Sequence, residues 1–257
     1  MVLAIDIGNS TTTIALFGPD GKPAFRSDTA TRRNTTRDQF AIVLKGIFDL
    51  YHADLTAIGG AVISSVVPSV THAASASVEL LTGKPPMMMS PGLKTGLNIK
   101  SDIHTQMGGD IVACSVAAID KYPSPIIVID MGTATTISAM DRDGKMLGGS
   151  ILPGVRISLE ALTSRTAQLP QIELSDPPRS IIGANTIDCM KSGVLYGTAS
   201  MLDGMIDRYK AELGEDLTVI ATGGLSKSIA ALCRNDIVLD ENLVLEGLRI
   251  LFQKNTK

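Results

Sequence analysis

The chain has 257 residues, a formal net charge of −3 and a 44% share of hydrophobic residues. That length supports one large domain or two lobes, and neither the charge nor the scatter of lysine and arginine gives an electrostatic case for nucleic acid or an anionic membrane. No apolar run approaches the roughly 20 residues of a bilayer span, and the start at Met1 lacks the regions of a signal peptide, so a cytoplasmic soluble protein without nucleic-acid or membrane partners is expected.

In chain order, the apolar VLAI leads into DIGNSTTT: an acid at a strand end, a glycine turn, then a hydroxyl-rich second strand, closed by an Asp20-Gly21 hairpin turn. TRDQFAIVLKGIFDLYHADL has helical spacing at Phe40, Val43, Leu44, Ile47 and Leu50, with Thr36 or Asp38 as candidate caps. AIGGAVISSVVP reads as a buried strand, THAASASVELLTG as a helix, and the methionines at 87–89 as a buried strand beside a loop. Asp110 precedes the apolar run IVACSVAAI, where it suits a helix N-cap. KYPSP at 121–125 interrupts the helical pattern and sets a boundary, giving parts 1–121 and 122–257. The second part begins with PIIVIDMGTATTISAMDRDGKMLGGSI, then predicts a long helix over NTIDCMKSGVLYGTASMLDGMIDRYKAEL, a strand at DLTVIATGG and a helix at SKSIAALC. Strands and helices alternate within each half, which defines an α/β class.

The opening of the second part repeats the opening of the first. Asp6 and Asp130 are 124 residues apart (130 − 6), as are Gly8 and Gly132, while Asp20 and Asp143 are 123 apart (143 − 20), so one residue has slipped between the landmarks. Gly8 and Gly132 allow a tight turn and close backbone approach to a ligand. Ser10, Thr11 and Thr12, matched to Thr133, Thr135 and Thr136, offer hydroxyl and amide donors for phosphate oxygens. Asp6 and Asp130 stand where a carboxylate can hold a metal ion or its water, and two such hairpins facing each other would grip a polyphosphate from both sides. A single copy is ordinary hairpin chemistry; two copies that both keep the acid favour phosphate. Neither G-x-x-x-x-G-K-[ST] nor a strand-following G-x-G-x-x-G occurs, so an ATP site here is of another kind. Cys114, Cys189 and Cys233, and His52, His72 and His104, are dispersed without zinc-ligand spacing and read as structural or surface residues.

With D-x-G-N-S at residue 6, D-x-G-T-A-T-T at 130 and T-G-G at 222, the sequence resembles the acetate and sugar kinase, Hsp70 and actin superfamily. Within it the chain is similar to the type III pantothenate kinases, through SPGLKTGLNIK at 90, GGD at 108, GGSILPGVRISLEAL at 148, IGANTIDCMKSGVLYG at 182, ATGGLS at 221 and ENLVLEGLRIL at 241. The resemblance implies two duplicated ribonuclease H-like lobes, the actin-like ATPase fold, with the nucleotide between them. It implies ATP-dependent phosphorylation of pantothenate to 4′-phosphopantothenate, the first step of coenzyme A synthesis.

By position, it assigns ATP binding to Asp6, Ile7, Gly8, Asn9, Ser10, Thr11, Thr12, Thr13 and Thr133, with Gly223 and Gly224 beside the adenosine. Asp6 falls near Mg²⁺, Asp130 near a monovalent cation (K⁺ or NH₄⁺), and Asp110 becomes the general base. Gly108, Gly109, Asp110, Ile111 and Thr186 fall on the pantothenate side, and the helix carrying Gly193, Gly197 and Gly204 on a homodimer interface. The chain departs from the family pattern at Ile111, where an arginine is usual, and at Ser101, where an aromatic is usual; Arg156 or Arg165 is a candidate replacement charge. Two further readings stay open on those departures: a nucleotide-binding regulator of the same fold, and a kinase of another small hydroxyl compound.

Overall fold

The computed structural model describes residues 1–99, 107–174 and 177–256; Ser101 and His104 lie outside the described residues. The described chain divides into two compact units, one of residues 1–97, 107–120 and 242–256 and the other of 98–99, 121–174 and 177–241.

The first unit runs β1 (Val2–Ile7), β2 (Thr11–Phe17), β3 (Pro23–Ala30), α1 (Arg37–Leu50), β4 (Gly60–Ser65), α2 (Pro68–Thr82), β5 (Met87–Met88) and α3 (Gly109–Lys121) as far as Asp120. Its sheet has the order β3-β2-β1-β4-β5. β1 is antiparallel to β2 and parallel to β4, and Leu3, Ala4 and Ile5 on this central strand are all fully buried, as expected of a strand covered on both faces. α1 is started by a complete capping box, Thr36 Oγ1 accepting the Gln39 N–H and Gln39 Oε1 accepting the Thr36 N–H at 3.0 Å. Between the two cap candidates, Thr36 is the one used. α2 opens on Pro68 and closes on Gly83 in the left-handed region at φ 69°. Phe40, Leu44 and Phe48 of α1 join Val70, Ala74 and Val78 of α2 over the sheet.

The second unit runs β6 (Ile126–Met131), β7 (Ala134–Met140), β8 (Met146–Pro153), α4 (Val155–Ser164), α5 (Thr186–Leu213), β9 (Thr218–Thr222), α6 (Ser226–Ala230) and β10 (Val238–Leu239). Its sheet order is β10-β9-β6-β7-β8, which is the first sheet over again with β6 in the place of β1 and β9 in the place of β4. Even the irregularities correspond, with a register shift at Leu16/Phe17 in one hairpin and at Ala139/Met140 in the other. α5 is capped by Asn185, whose side chain accepts the Asp188 N–H at 3.0 Å.

The last helix, α7 (Leu243–Asn255), belongs to the first unit, so the second part does not run to the chain end as expected from the sequence. Two glycines explain the assignment. A Cβ at Gly60 on β4 would strike the Phe252 ring, and one at Gly247 would strike the Ala113 carbonyl of α3, so α7 lies unusually close to both elements. The methionines at 87–89 also differ from expectation: β5 is a two-residue edge strand and its side chains are half-buried. Among the described residues no helix is long and apolar enough to cross a membrane.

Candidate active site

The two hairpin turns differ in length. Ile7 faces Thr12 across the first and Met131 faces Thr135 across the second, so four residues, Gly8, Asn9, Ser10 and Thr11, separate one pair and three, Gly132, Thr133 and Ala134, the other. The one-residue slip in the repeat therefore falls inside the turn. Matching phrases alone had put Thr11 against Thr135; the register instead puts Thr12 against Thr135, Thr13 against Thr136 and Thr11 against Ala134.

In the first turn Gly8 N–H donates to Thr11 O at 3.0 Å and Thr31 N–H to Ser10 O at 3.0 Å. Thr31 Oγ1 donates to Gly8 O at 2.8 Å and shares a 2.8 Å hydrogen bond with Thr12 Oγ1. Asn9, Ser10 and Thr11 are left exposed at the tip, Thr13 is half-buried, and Thr12 and Ile7 are buried beneath it. The second turn has no side-chain hydroxyl at the position that corresponds to Thr31. Gly154 stands where Thr31 stands in the first unit, because a Cβ there would strike the Thr133 carbonyl. Thr135, the counterpart of Thr12, is buried with no partner for its hydroxyl among the described residues. Thr133 itself is exposed.

Each unit carries its acid one residue from the end of the central strand, next to the carboxyl end of a parallel neighbour, the edge where open α/β sheets bind ligands. Asp6 pairs in register with Ser64 of β4, and Asp130 with Thr222 of β9. Gly223 follows with φ 92°; a Cβ there would sit 2.6 Å from Met131 O and 2.8 Å from Asp130 Oδ1. Only glycine lets the T-G-G run cross the end of β6 against that acid. Gly224 has open space above it.

Asp110 is the second residue of α3 and not its cap. Its Oδ1 accepts the Ile111 N–H at 2.8 Å. A Cβ at Gly108 would strike that same oxygen, and one at Gly109 would lie 3.1 Å from Met89 Cβ and 3.4 Å from Ser64 Oγ. The Gly108 contact is with a side-chain end that can move, whereas Gly109 packs the start of α3 against Met89 and Ser64 and so places Asp110 near the carboxyl end of β4. Ile111 is half-buried. Thr186 is the exposed first residue of α5 in the second unit. Arg156 lines a cavity of about 550 Å³ between α4 and residues 171–174, together with Glu160, Thr163 and Gln171. Arg165 follows the end of α4.

No group of three or more His, Cys, Asp or Glu residues is gathered for a metal among the described residues. Lone carboxylates at strand ends suit Mg²⁺, which takes one or two carboxylates and completes its shell with phosphate and water. No disulfide joins the three cysteines, and the Cys233 thiol is pushed up to about 12 by burial and then by the Asp203 charge, which suits packing and not nucleophilic chemistry. Thr31, Ser64 and Gly154 were not singled out from sequence. Thr31 and Gly154 become visible only when the repeat is extended to the ends of β3 and β8 in the corrected register.

The fold and the paired acid edges define the class as the actin-like ATPase and sugar kinase fold. Solved structures agree: component A of (R)-2-hydroxyglutaryl-CoA dehydratase from Acidaminococcus fermentans superposes with a TM-score of 0.58 at 14% identity, covering 100% of this chain and 99% of that one. The activator of 2-hydroxyisocaproyl-CoA dehydratase from Clostridium difficile gives 0.56 at 11% identity, with 98% and 95% covered. Residues 2–208 match the sequence profile of type III pantothenate kinase. Proteins of that name from Moorella thermoacetica and Halalkalibacterium halodurans are 39% and 40% identical over 257 and 255 residues, covering 100% and 99% of this chain and the whole of each relative. The chain belongs to the type III pantothenate kinase family.

Proposed function

We propose that this chain transfers the γ-phosphoryl group of ATP to the primary hydroxyl of pantothenate, with Asp110 accepting the hydroxyl proton. The carrying observation is full-length similarity to type III pantothenate kinases in a chain that keeps an acid at the same strand position of both sheets. Phosphoryl transfer asks a protein mainly to position reactants and stabilise charge. The exposed tip of Asn9, Ser10 and Thr11, its backbone held by Thr31, and the exposed Thr133 supply donors to the phosphates. Gly223 and Gly224 offer a side-chain-free shelf for adenosine next to Asp130.

Asp6 would hold Mg²⁺ and Asp130 a monovalent cation, K⁺ or NH₄⁺. When bound, such ions neutralise charge on the transferring phosphate. Asp110 has one oxygen fixed by the Ile111 N–H, which orients the carboxylate for a proton. Gly108, Gly109, Ile111 and Thr186 line the acceptor side. The enzyme works as a cytoplasmic homodimer.

The test is direct: purified protein with ATP, Mg²⁺ and K⁺ should convert pantothenate to 4′-phosphopantothenate, read by mass spectrometry. Ile111 in the usual arginine position motivates the second arm, since isoleucine cannot make a two-pronged bond to a carboxylate. ADP release with another small alcohol and none with pantothenate would keep the phosphotransferase and overturn the substrate. Replacing K⁺ by Na⁺ should lower the rate.

A further inference from the structure

Ser64 lies next to the end of β4 and is completely buried, yet its Oγ has no hydrogen-bond partner among the described residues. Buried hydroxyls are nearly always paired, because leaving the bond unmade costs more than making it gains. Two neighbours give this one a purpose. Parallel register sets Ser64 beside Asp6. Its Oγ also lies 3.4 Å from where Gly109 would carry a Cβ, directly against the start of α3 and one residue from Asp110. Ser64 is therefore wedged between the strand that carries one acid and the helix that carries the other.

The same juxtaposition recurs in the second unit. Thr222 is the register partner of Asp130 and is also buried. An acid on the central strand with a buried hydroxyl beside it on the parallel neighbour is thus present in both copies of the sheet, although the sequences around it differ: VISSVV in one and VIATGG in the other.

We infer that Ser64 is a positioning residue of the phosphoryl-transfer site, its hydroxyl donating to the Asp6 carboxylate when that carboxylate engages the nucleotide. Complete burial rules out direct contact with a ligand, so Ser64 acts through its neighbour. A hydrogen bond to an ionised acceptor is about twice as strong as a neutral one. Gly109 leaves room for the hydroxyl to turn. This inference rests on the reading of Asp6 as a nucleotide-side acid.

Three variants test it: Ser64→Ala, Ser64→Thr, which copies Thr222, and Asp6→Asn. Calorimetry measures ADP binding with and without Mg²⁺, and melting is followed without ligand. An unpaired hydroxyl contributes nothing to the ligand-free fold, so Ser64→Ala should melt no lower than the parent. Its affinity for ADP with Mg²⁺ should fall on the order of tenfold, with kcat falling alongside and ADP alone bound as before. Ser64→Thr should recover most of the loss. If Asp6→Asn loses the Mg²⁺-dependent affinity and Ser64→Ala keeps it, the role of Ser64 is wrong and the Asp6 reading stands. Parent-like binding by Asp6→Asn overturns both. A lower melting point for Ser64→Ala, unaccompanied by recovery of binding in Ser64→Thr, marks a purely structural hydroxyl and also overturns the inference.

Discussion

Asp110 sits in the first turn of α3, where a carboxylate is favoured by the helix dipole and where its Oδ1 already accepts the Ile111 N–H. Sequence suggested either a cap or a base; the structure shows a residue that braces the first turn without being the cap. Asp110→Asn keeps the size and an acceptor oxygen but cannot take a proton. Its kcat should fall by about 10² to 10⁴, with nucleotide affinity and melting temperature close to the parent; turnover at the parent rate would remove Asp110 from the chemistry. Asp203 on α5 makes a contrasting case of a purely architectural acid. Burial alone would raise its carboxyl, but the N–H groups of Asn235 and Arg234, the Asn235 amide and the Arg234 charge together hold it below its ordinary value of 3.8. A carboxyl depressed on folding stabilises the fold at pH above its unfolded value and loses that contribution as pH falls through the folded one. Asp203→Ala should therefore destabilise at pH 7, by about 1 kcal/mol once solvent screening of a partly exposed carboxylate is allowed for, and urea titrations should show the gap to the parent closing below about pH 4.

At the scale of elements, the repeat was the most legible feature, because a strand, a glycine turn and a hydroxyl-rich strand leave the same residue pattern each time they occur. Strands β1, β2, β6, β7 and β9 and helices α1, α2 and α5 fall where periodicity and capping residues put them. Three things were hidden. The slip inside the turn could not be placed, since Ser-Thr-Thr against Ala-Thr-Thr aligns equally well either way until strand pairing fixes the register. The allegiance of α7 depends on Gly60 and Gly247, two glycines whose meaning lies in the Phe252 ring and Ala113 carbonyl that approach them. The third is the junction after α3. There Lys121 Nζ and the Tyr122 hydroxyl both reach Asp240 Oδ2, at 2.6 and 2.9 Å, tying the residues after α3 to the end of β10. KYPSP announced a boundary without its partner, which lies 119 residues away. Asp240 is only 7% exposed while Lys121 keeps 31% of its side chain exposed, so Asp240→Ala removes a charge-assisted bond without burying the lysine and should destabilise by about 2 kcal/mol. Tyr122→Phe removes one neutral donor and should cost about 1 kcal/mol. Equal effects in chemical denaturation would show that the ion pair adds nothing beyond a hydrogen bond.

For the whole molecule, the outstanding question is what covers α5. Gly193 and Gly197 are one helical turn apart, and a Cβ at either would meet nothing within 4 Å. Each such glycine costs the helix about 1 kcal/mol against alanine, and within the described residues no close contact repays it. The same unit leaves Ile151, Ile181 and Ile182 at 80%, 65% and 82% exposure. Both features are uneconomical for a chain alone in water and ordinary for one that packs on a second copy through small residues and aliphatic side chains. Sedimentation equilibrium should accordingly give twice the chain mass at micromolar concentration, with a melting temperature that rises with protein concentration. Gly197→Arg should halve that mass while leaving the far-ultraviolet circular dichroism of the parent. If the dimer also completes the acceptor site, this variant should lose turnover of pantothenate and keep its affinity for ADP. A monomer at all concentrations, made more stable by Gly197→Ala and unaffected by Gly197→Arg, would show that this face of α5 is simply solvated and that Thr186 serves only its own chain.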